Sequence, residues 1–285
     1  MLVATLDALL ARRPDAAAAA ASVRELLEER RRETSRRVLE DEDAMARTAD
    51  ELDAVQARIG DWRLRSDGFE ALAGGLRRTY GGGREAFARA CQRPTDERMH
   101  EARKGVKDLW YHARVLRPLW PGPMDAVVEA TDALGDLLGE DHDLAVLAET
   151  VGALEAEIGD PGAAEAVHAL VAARRAELRE RVWPLGRRVY ADKPKAFVRR
   201  MGGLFDAWRE ETAWRLSAEE AALVRELLAA QAAGTPAEQR RARDRLRRHG
   251  VRAGDLDERL GHADGRPRID VFDELVERGR VRIAA

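Results

Sequence analysis

Apolar residues recur at alternating steps of three and four between residues 99 and 116, which is the spacing of one face of an α-helix. The stripe consists of Met99, Ala102, Val106, Leu109, Ala113 and Leu116. Thr95, followed by Asp96 and Glu97, predicts the start of this helix, because a capping hydroxyl and early acids suit a helix N-terminus. Arg117-Pro118 predicts its end, since the residue before proline is disfavoured in helices. We expect the stripe to face a core.

A polar face runs beside this stripe. It carries an imidazole, two guanidinium groups, an ammonium and a phenol, at steps of three, four, four and three: His100, Arg103, Lys107, Tyr111 and Arg114. Only Glu101 and Asp108 interrupt the basic residues. The sequence therefore predicts a helix face that can hold an anion.

Helical periodicity continues through most of the chain up to residue 212. Residues 2–33 predict a helical hairpin with a break at Pro14. A charged helix with sparse apolar positions then ends near Gly60, and two short helices are expected around a turn at 81–83, where three glycines follow one another. These elements precede the basic helix in the chain.

Further helices are expected after the basic helix. One helix should end at Gly139, with Asp141 or Asp143 capping the next, which should stop at the turn residues 159–162. A second basic helix over 163–190 is expected to kink or break at Pro184. An aromatic-rich helix through Trp208 completes this region, which we assign to a first domain spanning 1–212.

Residues 213–285 predict a small, mostly helical C-terminal module. Ser217 with Glu220 forms a capping box for its first helix. An arginine-dense helix up to Gly250, two shorter helices and a possible strand at 280–283 follow. The order of these elements is compatible with a winged-helix-like fragment. Because only one strand and no recognition helix are visible, an appended packing module is the preferred interpretation.

Composition supports an all-α protein. Hydrophobic residues make up 45% of the 285 residues, charged residues 35% and aromatics 5%, a mixture rich in good helix formers. The longest apolar run is far shorter than the roughly 18 residues of a membrane span, and no signal peptide opens the sequence. We expect a cytoplasmic protein that does not contact membranes. The single cysteine, Cys91, excludes an internal disulfide.

Charge is strongly segregated along the chain. The formal net charge is −3, but residues 77–120 carry eleven Lys/Arg against five Asp/Glu (11 − 5 = +6), and residues 174–200 carry ten against three (10 − 3 = +7). Two basic segments within an otherwise acidic protein indicate a local polyanion site.

Two motifs resemble the second half of a CHAD domain, the conserved histidine α-helical domain. They are His100, Arg103, Lys107 and Tyr111 in the order HxxRxxxKxxxY, and the run LGDLLGEDHDLAVL over 134–147. The resemblance covers most of 2–210. It implies two helical bundles related by a pseudo-twofold, and binding of inorganic polyphosphate along a basic channel.

By this resemblance His100, Arg103 and Lys107 would contact phosphate, Tyr111 would add a hydroxyl, and Asp143 would lie at a helix junction. The full predicted set of polyphosphate-binding residues is His100, Arg103, Lys104, Lys107, Tyr111, Arg114, Arg175, Arg179, Lys195 and Arg199. Trp110, Asp108 and Gly105 depart from the family pattern. The first-half copy of the motif is absent, so the domain is expected to be N-terminally incomplete or degenerate there, and dimerisation could supply a missing half-site.

Three functions remain open at this point. The first is non-enzymatic polyphosphate binding in targeting or scaffolding, with no catalytic residue, metal or cofactor. The second is a metal-dependent phosphohydrolase using His100, His142 and Asp143. The third is nucleic-acid binding by the basic faces, which the scarcity of aromatics among them disfavours. A metal at 140–143 is less expected than a helix cap, because adjacent helical residues point in different directions.

Overall fold

A computed structural model shows how the helical periodicity of this sequence is realised. It describes residues 1–39, 44–59, 62, 68–233, 236–251, 256, 259–260 and 266–284. The chain divides into two compact units, Met1–Gly203 and Leu204–Ala285. This division falls inside a helix, whereas the sequence analysis placed the boundary after residue 212. Gly60, near which the charged helix was predicted to end, lies outside the described residues, as does part of the short helix predicted around Leu256 and Leu260.

The described residues of the first unit form helices and short turns. In chain order the helices are α1 Leu2–Arg12, α2 Ala21–Leu39, α3 Ala44–Ile59, α4 Glu70–Gln92, α5 Asp96–Leu116, α6 Pro123–Ala153, α7 Glu155–Ile158, α8 Pro161–Val189 and α9 Pro194–Thr212, the last of which continues into the second unit. Short 3-10 turns over Pro14–Ala16 and Arg117–Leu119 follow α1 and α5. Helix α5 packs between α4 and α6, and α6 packs on α8. The predicted all-α class is confirmed.

Helix α5 forms as its sequence predicts. The six apolar residues of the stripe are its buried residues, with relative exposures of 4% or less. Thr95 caps the helix, its Oγ1 accepting a hydrogen bond from the backbone N–H of Arg98 at 3.4 Å. The helix ends at Leu116, two residues before Pro118. Because the apolar stripe is buried between α4 and α6, the polar face of α5 lies at the edge of the packed helices.

Two predicted helix breaks at glycine are wrong. Helix α4 runs straight through 81–83, because a tight helix crossing uses one of these glycines: a Cβ on Gly105 of α5 would lie only 2.6 Å from the Cα of Gly83. Helix α6 likewise continues through Gly139, so Asp141 and Asp143 lie within it and cap nothing. Tertiary contacts outweigh the modest cost of glycine in a helix, which is about 1 kcal/mol.

Proline behaves similarly in α8, which continues as one helix past Pro184. The turn at 159–162 is confirmed, with Gly159 in the left-handed region at φ 68°. Asp160 then caps α8 by accepting from the backbone N–H groups of Gly162 and Ala163.

The second unit combines helices with two short parallel strands. Beyond the end of α9 it contains β1 Trp214–Leu216, α10 Ala218–Ala232, α11 Pro236–Arg248, α12 Arg268–Glu277 and β2 Val281–Ile283. The strands pair in parallel, with Trp214 opposite Val281. Strand β1 was not predicted, because three residues between two helices carry almost no periodicity. The predicted capping box of Ser217 and Glu220 is confirmed.

The core of the second unit surrounds Phe272, which is fully buried and packs edge-on against Trp214 at a centroid distance of 6.1 Å. Within the part of the chain that the structure describes, no helix is long and apolar enough to cross a membrane.

Candidate functional site

The polar face of α5 lies against a part of α6 where two residues lack side chains. A Cβ on Gly139 would lie 3.7 Å from Nε of Arg103, and one on Gly135 would lie 3.7 Å from Cδ of Lys107. The two glycines are four residues apart and therefore share one face of α6. The side chains of Arg103 and Lys107 thus extend along α6 where glycine leaves room for them. Because Arg103 lies at Gly139 and Lys107 lies at Gly135, the two helices run antiparallel here.

Two histidines continue this row at the N-terminal end of α5. The rings of His100 and His142 lie 4.8 Å apart between centroids, at an interplanar angle of 44°. Both side chains are partly buried. Burial, His100 and the charge of Arg103 lower the pKa of His142 below its ordinary value of 6.5. At neutral pH the imidazole of His142 is therefore mostly uncharged in the free protein.

Two buried nitrogen atoms of this row have no hydrogen-bond partner among the described residues: Nδ1 of His100 and Nε of Arg103. A buried polar group without a partner costs about 1–3 kcal/mol, so such groups in a native structure need an explanation. An anion at this place would supply acceptors to both. The arrangement therefore favours an anion as the ligand of this row.

An aromatic cluster extends the row toward the C-terminus of α5. The indole of Trp110 has Nζ of Lys107 at 5.0 Å and the guanidinium of Arg114 at 4.7 Å from its centroid. Both distances allow cation–π attraction. Tyr111 packs edge-on against the same ring and is 55% exposed. Trp110, which departs from the family pattern, therefore contacts both of the cations that follow Arg103 in the row.

Lys104 is less available for a ligand than the other cations of α5. Its Nζ lies 3.1 Å from Oε1 of Glu101, and both side chains are exposed. Such a surface pair adds little stability but offsets the charge locally. The structure therefore does not add Lys104 to the row formed by His100, Arg103, Lys107 and Arg114.

Arg175 and Arg179 were predicted to contact polyphosphate, and in the structure their guanidinium groups pair with carboxylates. Asp141 of α6 is fully buried, and Arg175 donates to both of its carboxylate oxygens at 3.1 and 3.0 Å. Nε of Arg179 lies 3.4 Å from the same carboxylate. Arg175 also pairs with Asp96 in the first turn of α5 at 2.5 Å. A buried carboxylate requires cationic partners, so these arginines join α8 to α6 and α5.

Arg174 has a similar structural role in the second basic segment. It is 7% exposed, and its guanidinium binds Glu140 at 2.7 and 3.0 Å and Glu177 at 2.9 Å. Because Arg174, Arg175 and Arg179 are all paired internally, the net charge of this segment overstates the number of cations that are available to a ligand.

Lys195 and Arg199 lie on α9, and both are exposed. Helix α9 is fixed to α4 by Phe197, whose ring stacks on Tyr80 at 4.1 Å. Among the described residues, no contact joins Lys195 or Arg199 to the row on α5. The structure therefore does not bring these two predicted site residues together with the others.

The acidic run at 140–143 does not converge on a metal. Asp141 faces the arginines of α8, whereas His142 faces His100. Asp143 lies in the middle of α6 beside α1, where it lines a cavity with Arg12. Within the described ranges, no group of three or more His, Cys, Asp or Glu side chains is placed to hold a metal ion.

His142 and Trp110 are the residues of this site that sequence reasoning did not include. His142 was considered only for a metal or an enzyme, because its meeting with His100 depends on α6 continuing through Gly139. Trp110 was noted only as a departure from the family pattern. Its spacing of three from Lys107 and four from Arg114 was a usable signal, since helical residues so spaced are neighbours.

No curated protein and no solved structure matches this chain. The family model of the CHAD domain matches residues 1–152, more than half of the chain, a range that contains α1 to α5 and nearly all of α6. The row of basic residues on α5 and its glycine-lined neighbour therefore both lie inside the matched range. The chain belongs to the CHAD domain family.

Proposed function

We propose that this protein binds inorganic polyphosphate along the row His100, Arg103, Lys107 and Arg114 of α5, without hydrolysing it. The observation that carries the proposal is the pair of buried, unpartnered nitrogen atoms of His100 and Arg103. Membership of the CHAD family, which is linked to polyphosphate, supports the choice of ligand.

The length of the row favours a linear polyanion over a single phosphate. Fourteen residues separate His100 from Arg114, and at 1.5 Å per residue this corresponds to about 21 Å. One phosphate group would contact only one or two of these side chains. A chain of phosphates carries repeated negative charge, and cations placed along it release counterions as they do on nucleic acids.

The proposed role is binding, in targeting or scaffolding. The side chains of the row are cations and imidazoles, which orient and neutralise phosphate oxygens. No carboxylate belongs to the row, and the nearby carboxylate of Asp141 is already bound by two arginines. The alternative is a metal-dependent phosphohydrolase built on the neighbouring rings of His100 and His142, which would release orthophosphate from polyphosphate when a divalent metal is added.

The test is a titration of long-chain polyphosphate against the wild type and the variant His100→Ala/Arg103→Ala/Lys107→Ala. We expect the variant to bind roughly a hundredfold more weakly and the slope of log affinity against log salt to fall by about two, because two full charges leave the site. Circular dichroism checks that the variant is folded.

A matched control is Arg240→Ala/Arg243→Ala, which removes two exposed cations from α11 in the other unit. The control should bind like the wild type. Equal loss in both variants would mean that net charge alone drives binding and would contradict a site on α5. Release of orthophosphate by the wild type with magnesium or manganese, lost in the triple variant, would establish the phosphohydrolase instead.

A further inference from the structure

Helix α3 exposes an apolar face that nothing else in the described part of the chain covers. Every residue from 45 to 59 is exposed. The exposures of the large apolar side chains are 81% for Met45, 64% for Leu52, 42% for Val55 and 50% for Ile59. A helix of 16 residues whose apolar face stays exposed among the described residues is marginal in water, since most helices gain their stability from packing.

The apolar face follows a heptad repeat. Met45, Leu52 and Ile59 are seven residues apart and take the a positions, while Thr48 and Val55 take the d positions, at alternating steps of three and four. Trp62, which is 70% exposed, falls at the next d position after the helix ends. Such a seam is the signature of helices that pair with another helix, which distinguishes it from scattered surface hydrophobics.

The charges beside this seam decide which partner fits. Glu51 and Arg58 are the charged residues at the g positions, and Ala49 and Gln56 take the e positions. In an antiparallel pair of identical helices, g positions face g positions, so Glu51 of each copy would lie opposite Arg58 of the other. In a parallel pair, g faces e, and Glu51 would meet only the neutral Gln56. The charges are therefore self-complementary in the antiparallel arrangement alone.

The apolar residues agree with the same arrangement. An antiparallel coiled coil places each a residue against a d residue of the other helix. With Leu52 opposite Val55 of the second copy, Ile59 falls opposite Thr48, so one register matches the four inner layers of the two helices. We propose that α3 is a homodimerisation element, which pairs with α3 of a second copy of this chain as an antiparallel coiled coil.

The test measures the oligomeric state of the full chain by sedimentation velocity across a concentration series. We expect the wild type to be a dimer and Leu52→Glu to be a monomer. Glu51→Arg and Arg58→Glu should each weaken the dimer about tenfold, because each substitution creates two pairs of like charges across the dimer interface. The double variant Glu51→Arg/Arg58→Glu restores opposite charges and should recover the wild-type affinity.

The matched control is Asp50→Arg, a charge reversal at an f position on the opposite side of the same helix, which should leave the dimer unchanged. All of these positions are exposed, and recovery in the double variant excludes misfolding as the cause of the single-variant effects. A wild type that stays monomeric at all concentrations would overturn the proposal. A dimer that survives Leu52→Glu would place the interface elsewhere, and single variants without effect would overturn the antiparallel pairing.

Discussion

Asp141 lies at the centre of a buried ion-pair network that joins α5, α6 and α8 of the first unit. Its carboxylate has no exposed surface and is bound by Arg175 and Arg179, and Arg175 extends the network to Asp96 at the start of α5. Removing one partner of a buried ion pair leaves the other charges uncompensated, which costs far more than the pair itself contributes.

We expect Asp141→Asn to lower the free energy of unfolding by about 3 kcal/mol, because two partly buried guanidinium groups lose the carboxylate they share while Arg175 keeps Asp96. Urea denaturation followed by circular dichroism measures this change. Asp136→Asn, an exposed position on the same helix, is the matched control and should change stability by less than about 0.5 kcal/mol. Equal, small effects of both substitutions would show that the arginines find other partners.

Under the proposed function, we expect the two neighbouring histidines to couple anion binding to protonation. The pKa of His142 is lowered in the free protein by burial and by the neighbouring His100 and Arg103 side chains. A bound polyanion favours the charged imidazole and raises that pKa, so binding takes up a proton. The same lowered pKa makes the free protein less stable as the pH falls below about 6.5, because the unfolded chain binds the proton more readily.

Polyphosphate affinity should therefore increase as the pH is lowered from about 8 to about 6, by less than tenfold per pH unit for each proton taken up. Isothermal titration calorimetry in buffers of different ionisation enthalpy measures both the affinity and the proton uptake. His142→Asn should flatten the profile. His112→Asn is the control, since that ring lies on α5 but contacts the carbonyl of Asp108 at 2.8 Å. A profile that stays steep without His142 would contradict this role.

At the scale of elements, the crossing of α4 and α5 depends on two glycines that meet. A Cβ on Gly105 would lie 2.6 Å from the Cα of Gly83, and a Cβ on Gly83 would also clash with the hydroxyl of Tyr190. Close approach of the backbones positions α5 against α4 on one side, while its polar row faces α6 on the other.

Gly105→Ala should lower the free energy of unfolding by about 1–3 kcal/mol, because the added methyl group must push two helix backbones apart. Gly82→Ala is the opposite case on α4: nothing lies within 4 Å of its Cβ, and we expect a gain of about 0.5–1 kcal/mol from reduced backbone freedom. Thermal and urea unfolding of both variants check the signs. A stabilising Gly105→Ala would show that the crossing is looser than described.

Local signals in the sequence predict α5 well. They also predict helix breaks at glycines of α4 and α6, where the helices in fact continue. The stripe of α5, its Thr95 cap and its end at Leu116 depend on periodicity and capping within one helix. The continuity of α4 and α6 through glycine depends on neighbours that are distant in the chain, such as Gly105 for Gly83. The candidate site shows the same division: His100, Arg103 and Lys107 follow from one helix, whereas His142 and the pairing of Arg175 require the packing of three.

At the scale of the whole molecule, the distribution of charge separates the two polyanion classes considered. The net charge is −3, and several arginines of the second basic segment are neutralised by internal pairs. Among the described residues, Arg103, Lys107 and Arg114 of α5 form no ion pair, so their charge is available to a ligand. The main aromatic ring of α5, Trp110, is already in contact with Lys107 and Arg114. Tyr111 exposes one ring beside the row, whereas single-stranded nucleic acids are held by several rings that stack on successive bases.

We therefore expect single-stranded DNA to compete poorly with polyphosphate of equal total charge, requiring at least tenfold higher concentration for half displacement. Fluorescence anisotropy with labelled polyphosphate measures the competition at two salt concentrations, because both ligands depend on salt. Trp110→Phe, which keeps a ring for the cations, serves as the control for the indole. Displacement at equal concentrations would favour nucleic-acid binding.

The order in which the long helices pack has a consequence for how the first unit folds. Helices α4, α5, α6 and α8 pack on their neighbours in the chain, which gives contacts of low sequence separation. Chains rich in such contacts close small loops and fold within microseconds to milliseconds. The pair of Arg175 and Asp96 joins residues 79 positions apart and can form only once those hairpins have assembled. We expect it to close late, so that its loss accelerates unfolding and leaves the folding rate almost unchanged.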